Sequence, residues 1–308
     1  MNATASSRLL PPETLAGLAN LELVARTAVE GFLTGLHRSP HYGFSQEFKE
    51  YRAYVEGDDP RFVDWNVYAR TDRAYIRRYE GETNTRVMIL LDASASMSYA
   101  SHSVSKLQYA KFLAAALGYM AMRQHDPTGL IVFDEKVRQY RPPTSRAGGL
   151  TGLLHTIEAV QASGGTRLLD CFSKFREHLT RRGLVAVITD LYCDPAALTK
   201  AVQPLAYHGH DIVIFQLMDP NEEKPQALTA AGEGKGRESL ILEDMETQAT
   251  IQVSAEYLRE KYAEKLGAHL DELRRATANL GAHHMTFTTD QPLDRALRHY
   301  LTFREGRA

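Results

Sequence analysis

An apolar run in this chain ends in an aspartate that is followed by two alternate serines. Residues 86–92 read RVMILLD, and Ser94 and Ser96 occupy the second and fourth positions after Asp92. A carboxylate and two hydroxyls placed after a strand can offer oxygen atoms to one small cation, and such hard donors suit Mg2+ or Mn2+. The same residue types also form ordinary turns and helix caps, so the motif alone leaves both interpretations open.

Two further oxygen-bearing side chains follow later in the chain, again where strands or loops end. Thr166 lies in "SGGTR", where a glycine pair lets the backbone approach closely, and Asp190 ends the buried-looking run "VAVITD". In a parallel α/β sheet, ligands bind beyond the carboxyl ends of the strands, where such loops converge. We therefore predict one Mg2+ or Mn2+ site whose ligands are Asp92, Ser94, Ser96, Thr166 and Asp190.

Alternating strands and helices must position these residues. Strands are predicted at 86–92, 129–133, 136–140, 184–190, 211–218 and 284–288. Helices are predicted at 106–125, 149–162, 168–182, 195–207, 255–280 and 292–303. Apolar strands without clear alternation indicate burial on both faces, and the intervening helices indicate parallel crossovers. The predicted fold is a doubly wound, mostly parallel α/β sheet flanked by helices.

Two regions are predicted along the chain. Residues 1–85 form a smaller N-terminal region with one or two helices up to Leu36, and residues 86–308 form the α/β domain, with an inserted loop and hairpin near 220–254. The stretch from Arg52 to Arg78 mixes arginines with aspartates around Trp65, the single tryptophan. Ion pairing within this stretch favours a clamp onto the α/β domain, and an exposed recognition surface is the alternative.

Composition narrows the possible partners. The 36 Lys and Arg against 38 Asp and Glu give a net charge of -2, so no global field attracts nucleic acid or an anionic membrane. The longest apolar stretch in a predicted helix, 112–122, is short of the roughly 18 to 20 residues that a membrane span requires. We expect no direct membrane anchor. With two cysteines and no start like a signal peptide, we expect a cytoplasmic protein.

The order Asp92-x-Ser94-x-Ser96, then Thr166, then Asp190 resembles the metal-ion-dependent adhesion site of von Willebrand factor A domains. The resemblance implies that the hydroxyls bind the cation directly and that the aspartates often act through water. It also implies one open coordination position, which a partner's carboxylate fills. Arg167 departs from the more usual acidic or amide neighbour of that threonine.

A second resemblance covers nearly the whole chain, to the bacterial family known as domain of unknown function fifty-eight. Its characteristic parts are Arg52 and Tyr54, Gly57 to Arg61, Asp64-Trp65, Ala69-Arg70-Thr71, Glu80 to Asn84, "LEDMETQ" and "LDRALRHYL". Family members frequently lie beside MoxR-type AAA+ ATPases, which are thought to remodel or mature other proteins. The resemblance therefore implies a MoxR-type ATPase, or its client, as the protein partner.

The residues favour a metal-dependent interaction module without enzymatic activity, and two other functional classes are alternatives. A haloacid-dehalogenase-like phosphotransfer enzyme would use Asp92 as nucleophile, but it expects a second aspartate where this chain has Ser94. A metal-free scaffold is the other alternative. Turnover of phosphorylated substrates would favour the enzyme, and cation-independent binding would favour the scaffold.

Overall fold

The computed structural model describes residues 10–36, 50–55, 63, 65–78, 85–146, 148–225, 239–254, 257 and 261–305. The chain divides into two compact units, of which the smaller comprises residues 33–84. The larger unit joins the described residues up to Phe32 to those from Thr85 onward. The division predicted at 85/86 therefore lies beside one boundary of these units, while α1 and most of α2, defined next, belong to the larger unit.

The elements of the fold are as follows. The helices are α1 Pro12–Ala16, α2 Leu21–Leu36, α3 Trp65–Thr71, α4 Lys106–Arg123, α5 Gly149–Glu158, α6 Leu168–His178, α7 Pro195–Tyr207, α8 Pro220–Glu223, α9 Ala263–Ala278 and α10 Leu293–Glu305. The strands are β1 Glu50–Ala53, β2 Tyr75–Arg78, β3 Val87–Asp92, β4 Thr128–Phe133, β5 Val137–Thr144, β6 Leu184–Thr189, β7 Asp211–Met218, β8 Ser239–Glu243, β9 Thr250–Ser254 and β10 His283–Thr288. A 3-10 helix spans Ala95–Ser98.

A six-stranded sheet forms the centre of the larger unit, in the order β10-β7-β6-β3-β4-β5. β10, β7, β6, β3 and β4 are parallel, and β5 pairs antiparallel with β4 at one edge. Every residue of β3, β4 and β6 is buried, as expected for strands covered on both faces. The predicted fold class, a doubly wound and mostly parallel α/β sheet, is confirmed.

Helices cover both faces of this sheet. On one face, buried side chains of α6, α7 and α9 pack against Leu90 and Val187, which lie in one hydrophobic cluster. Successive strand residues point to opposite faces, so Ile89 faces the other layer, where α4 lies. A Cβ added to Gly118 of α4 would lie 2.5 Å from the Leu153 side chain of α5 and 3.8 Å from that of Ile89. α4 therefore packs tightly between the sheet and α5.

Some element bounds differ from those predicted. The helix predicted at 149–162 ends at Glu158, and beyond it Ser163 and Gly164 form backbone hydrogen bonds with Ala93 and Ala95 in the loop after β3. The helix predicted at 168–182 ends at His178, and the one predicted from residue 255 begins as a regular α-helix at Ala263. β5 continues beyond the predicted 140 through Pro142 and Pro143, which an edge strand tolerates.

The smaller unit contains α3 and the antiparallel pair β1 and β2. Trp65 is 61% exposed and makes an edge-to-face contact with Tyr68. The ion pairs predicted for this stretch join its arginines to Asp58, Asp59 and Asp64, and all three aspartates lie outside the described residues. The clamp and the recognition surface therefore stay predictions.

No helix among the described residues has the length and apolarity needed to cross a membrane.

Candidate metal site at the carboxyl edge of the sheet

Three loops at the carboxyl edge of the sheet carry the five residues that the sequence singled out. Asp92 is the last residue of β3, and Ser94 and Ser96 lie in the turn and 3-10 helix that follow. Asp190 comes directly after β6, the neighbour of β3, and Thr166 lies just before α6. The two aspartates and Ser94 are fully or almost fully buried.

The carboxylate of Asp92 is held in one orientation by two hydrogen bonds. Its Oδ1 accepts from the backbone N–H of Ser94 at 2.9 Å, and its Oδ2 accepts from the hydroxyl of Thr189 at 2.6 Å. Burial, together with the nearby charge of Asp190, raises the pKa of Asp92 to about 7. A cation at this position would relieve both effects, because it favours the ionised carboxylate.

Backbone hydrogen bonds bring the Thr166 loop against the loop after β3. The N–H of Ser163 donates to Ala93 at 2.9 Å, and the N–H of Ala95 donates to Gly164 at 2.8 Å. Gly164 has φ of +74°, a conformation that glycine adopts readily. These contacts explain how the glycine pair predicted to allow close approach sets the position of Thr166.

Lys106, the first residue of α4, is a part of the site that the sequence analysis missed. Its ammonium group lies 2.9 Å from Asp190 Oδ2 and 2.7 Å from Glu222 Oε1. Burial alone would lower the pKa of Lys106, but the two carboxylates outweigh it and the pKa is raised. A signal was available, because the first turn of a helix disfavours a cation unless an anion compensates it.

Glu246 is the second residue that the sequence analysis missed. It lies in the turn between β8 and β9, and its Oε1 accepts hydrogen bonds from the hydroxyls of Thr166 at 2.8 Å and Ser96 at 3.1 Å. Its Oε2 accepts from the backbone N–H of Thr166 at 2.9 Å. Residue spacing and strand ends could not reveal this contact, since Glu246 is 80 residues from Thr166 in the sequence.

Two of the predicted ligand oxygens lie close enough together to contact one small cation. Neighbouring ligands of an octahedral Mg2+ with bonds of about 2.1 Å lie about 3.0 Å apart. The Ser94 and Ser96 hydroxyl oxygens are hydrogen-bonded to each other and 3.1 Å apart, which is close to that value. Among the described residues, no group of three or more His, Cys, Asp or Glu forms a metal cluster, so binding here would depend on the hydroxyls.

A family model described as "Protein of unknown function DUF58" matches residues 50–272. The chain belongs to this family. Uncharacterized proteins of Mycobacterium tuberculosis and Mycobacterium bovis are 25% identical to this DUF58 protein over 284 residues, which is 91% of this chain and 86% of theirs. The family resemblance that the signature residues indicated is therefore confirmed.

Several solved structures are similar to this DUF58 protein. BatB from Bacteroides thetaiotaomicron has 16% identity and a TM-score of 0.47, and the match covers 72% of this chain and 99% of that one. The von Willebrand-type domain of the type V pilus tip protein Mfa5 from Porphyromonas gingivalis has 13% identity and a TM-score of 0.38, over 72% and 95%. In this DUF58 protein, the strand that ends in Asp-x-Ser-x-Ser lies at the centre of the mostly parallel sheet.

Exposed side chains surround the site. Tyr192 follows Asp190 by two residues and is 47% exposed, with the ammonium group of Lys106 4.7 Å from the centre of its ring. Arg167, directly after Thr166, is well exposed, and its guanidinium lies 4.0 Å from the equally exposed Asp170. An ion pair of that length and exposure is weak, so most of the Arg167 charge stays uncompensated at the surface.

Proposed function

We propose that this DUF58 protein is a non-enzymatic interaction module that binds Mg2+ or Mn2+ through Asp92, Ser94, Ser96, Thr166 and Asp190. Through that cation it engages an acidic residue of a protein partner. The observation that supports the proposal is the 3.1 Å contact between the Ser94 and Ser96 hydroxyls directly after the buried Asp92, with the Ser96 and Thr166 hydroxyls meeting at one oxygen of Glu246. Oxygen donors of this kind suit small hard cations.

Charge explains why such a cation would favour an acidic partner. Hydroxyl ligands are neutral, so they leave most of the cation's charge uncompensated. Asp190 shares its charge with Lys106, which further reduces the negative charge available to the cation. A carboxylate from a partner would supply the missing negative charge. In a desolvated interface, a neutral amide is a poor replacement for that carboxylate.

The proposed partner is a MoxR-type AAA+ ATPase or a client on which it acts, with a cytoplasmic location. This step rests on the family resemblance, because members of the family frequently lie beside such ATPases. The exposed Tyr192 and Arg167 support an interface around the site, since aromatic side chains and arginine are enriched in protein interfaces.

One observation favours the metal-free scaffold as a second candidate. Glu246 already accepts hydrogen bonds from Ser96 and Thr166, so the loops can be held together by protein groups. In that case cation removal would leave partner binding unchanged.

Partner capture with and without cation separates these functions. Wild-type protein and Asp92→Ala are immobilised and offered the MoxR-type ATPase in Mg2+ or in EDTA, with Asp271→Ala on the exposed side of α9 as the matched control. The proposal expects capture only by wild type and Asp271→Ala, and only in Mg2+. Equal capture under all conditions supports the scaffold, and turnover of a phosphorylated substrate supports the phosphotransfer enzyme.

A further inference from the structure

A carboxylate of the chain itself contacts two of the proposed ligands. Both oxygens of Glu246 are used at the site, Oε1 by the hydroxyls of Ser96 and Thr166, and Oε2 by the backbone N–H of Thr166. Two of these three groups belong to the ligand set that the sequence predicted. Glu246 therefore binds the donor groups of the site directly.

The turn that carries Glu246 is built by a single aspartate. Asp244 Oδ1 accepts from the N–H of Glu246 at 2.8 Å, and Asp244 Oδ2 accepts from the hydroxyl of Thr247 at 2.6 Å. Two backbone bonds close the turn, from Gln248 to Asp244 at 2.7 Å and from Asp244 to Ala249 at 2.8 Å. These bonds hold the turn that presents Glu246, which reduces the conformational entropy that Glu246 loses on binding.

A small residue makes room for this carboxylate. A Cβ added to Gly165 would lie 3.3 Å from Glu246 Oε2, which is tighter than most contacts of real Cβ atoms. The rest of the hairpin is largely solvent-exposed, including the apolar side chains of Ile241, Met245 and Ile251. The little apolar burial at these positions means that the hairpin can leave the site at low cost.

We infer that Glu246 is a built-in acidic ligand, which competes with the partner for the cation at this site. This inference rests on the proposed function. A tethered carboxylate acts at an effective concentration in the millimolar range, so a partner's carboxylate binds only when it displaces the hairpin. The apparent affinity for the partner is lowered by the fraction of molecules in which Glu246 occupies the site.

Binding of Mn2+, followed by the relaxation of water protons, tests this inference without a partner. Each Mn2+-bound water shortens the proton relaxation time, so loss of a protein ligand raises the relaxation enhancement at equal Mn2+ occupancy. Glu246→Gln removes the charge and keeps the size. Glu243→Gln, on the exposed part of β8, is the matched control, and Glu246→Asp is a second variant that keeps a carboxylate.

We expect Glu246→Gln to bind Mn2+ about tenfold more weakly and to show a higher enhancement than wild type and Glu243→Gln. Sodium acetate should then lower the enhancement of Glu246→Gln, because it supplies the missing carboxylate, and should leave the other two unchanged. If all proteins bind Mn2+ with the same affinity and enhancement, the inference is overturned while the metal site stands. If wild type does not bind Mn2+, the proposed function fails and the inference fails with it.

Discussion

The ammonium group of Lys106 lies 2.9 Å from Asp190 Oδ2, and neither side chain is accessible to solvent. The same nitrogen lies 2.7 Å from Glu222 Oε1. The buried ammonium group of Lys106 therefore connects the start of α4 to the end of β6 and to α8. This arrangement sets the charge of the site without contributing a ligand. It also makes Lys106 a positioning residue for Asp190.

Replacement of Lys106 by Met should destabilise the protein strongly. Removing one partner of a buried ion pair leaves an uncompensated charge and typically costs about 3–5 kcal/mol. Urea unfolding of Lys106→Met should show this loss. Lys174→Met, which changes an exposed lysine of α6, serves as the control. A loss below about 1 kcal/mol would show that the pair contributes little, as surface ion pairs do.

Asp92 should make the metal-free protein less stable as the pH rises. Its pKa is raised to about 7 in the folded protein, so the folded state holds the proton more tightly than the unfolded state. The stabilisation from this group is therefore complete below about pH 4 and is lost as the pH rises through about 7.

The variant Asp92→Asn isolates this effect, because the amide does not titrate. In EDTA, we expect the variant to gain on the order of 2 kcal/mol relative to wild type between pH 5 and pH 8. Thermal unfolding at both values measures the difference. An unchanged difference between the two proteins would contradict the raised pKa.

Arg167 should speed the approach of an acidic partner. An exposed charge at the rim of an interface acts mainly on the association rate, and salt screens its effect. Surface plasmon resonance with the MoxR-type ATPase should show about tenfold slower association for Arg167→Glu at low salt, and a smaller difference at high salt. Arg181→Glu, an exposed arginine in the loop before β6, should leave the rate near that of wild type. Equal association rates for both variants would indicate that the partner binds away from Arg167.

The fold could be predicted from the sequence because its strands carry uninterrupted apolar runs. The run before Asp92 and the run before Asp190 indicate buried parallel strands, and parallel strands bring their carboxyl ends to one edge. The end of α5 at Glu158 could not be predicted in this way. Residues beyond it bond to Ala93 and Ala95, and such tertiary contacts leave no local pattern in the sequence.

The candidate site was predicted in part, for the same reason. Asp92, Ser94 and Ser96 share one motif, whereas Glu246 and Lys106 reach the site from a distant hairpin and from a helix start. The apolar periodicity of α4 predicts which of its side chains are buried. It does not predict which carboxylates contact Lys106, its first residue.

Manganese located by anomalous diffraction tests the central claim most directly. Crystals of the wild-type protein grown with saturating Mn2+ should show one anomalous peak among the oxygens of Ser94, Ser96 and Thr166, with Asp92 and Asp190 bound directly or through water. Bonds to the hydroxyl oxygens should be near 2.1 Å, as for other small hard cations. Crystals that lack this peak, with Glu246 still hydrogen-bonded to Ser96 and Thr166, would contradict a metal-dependent function.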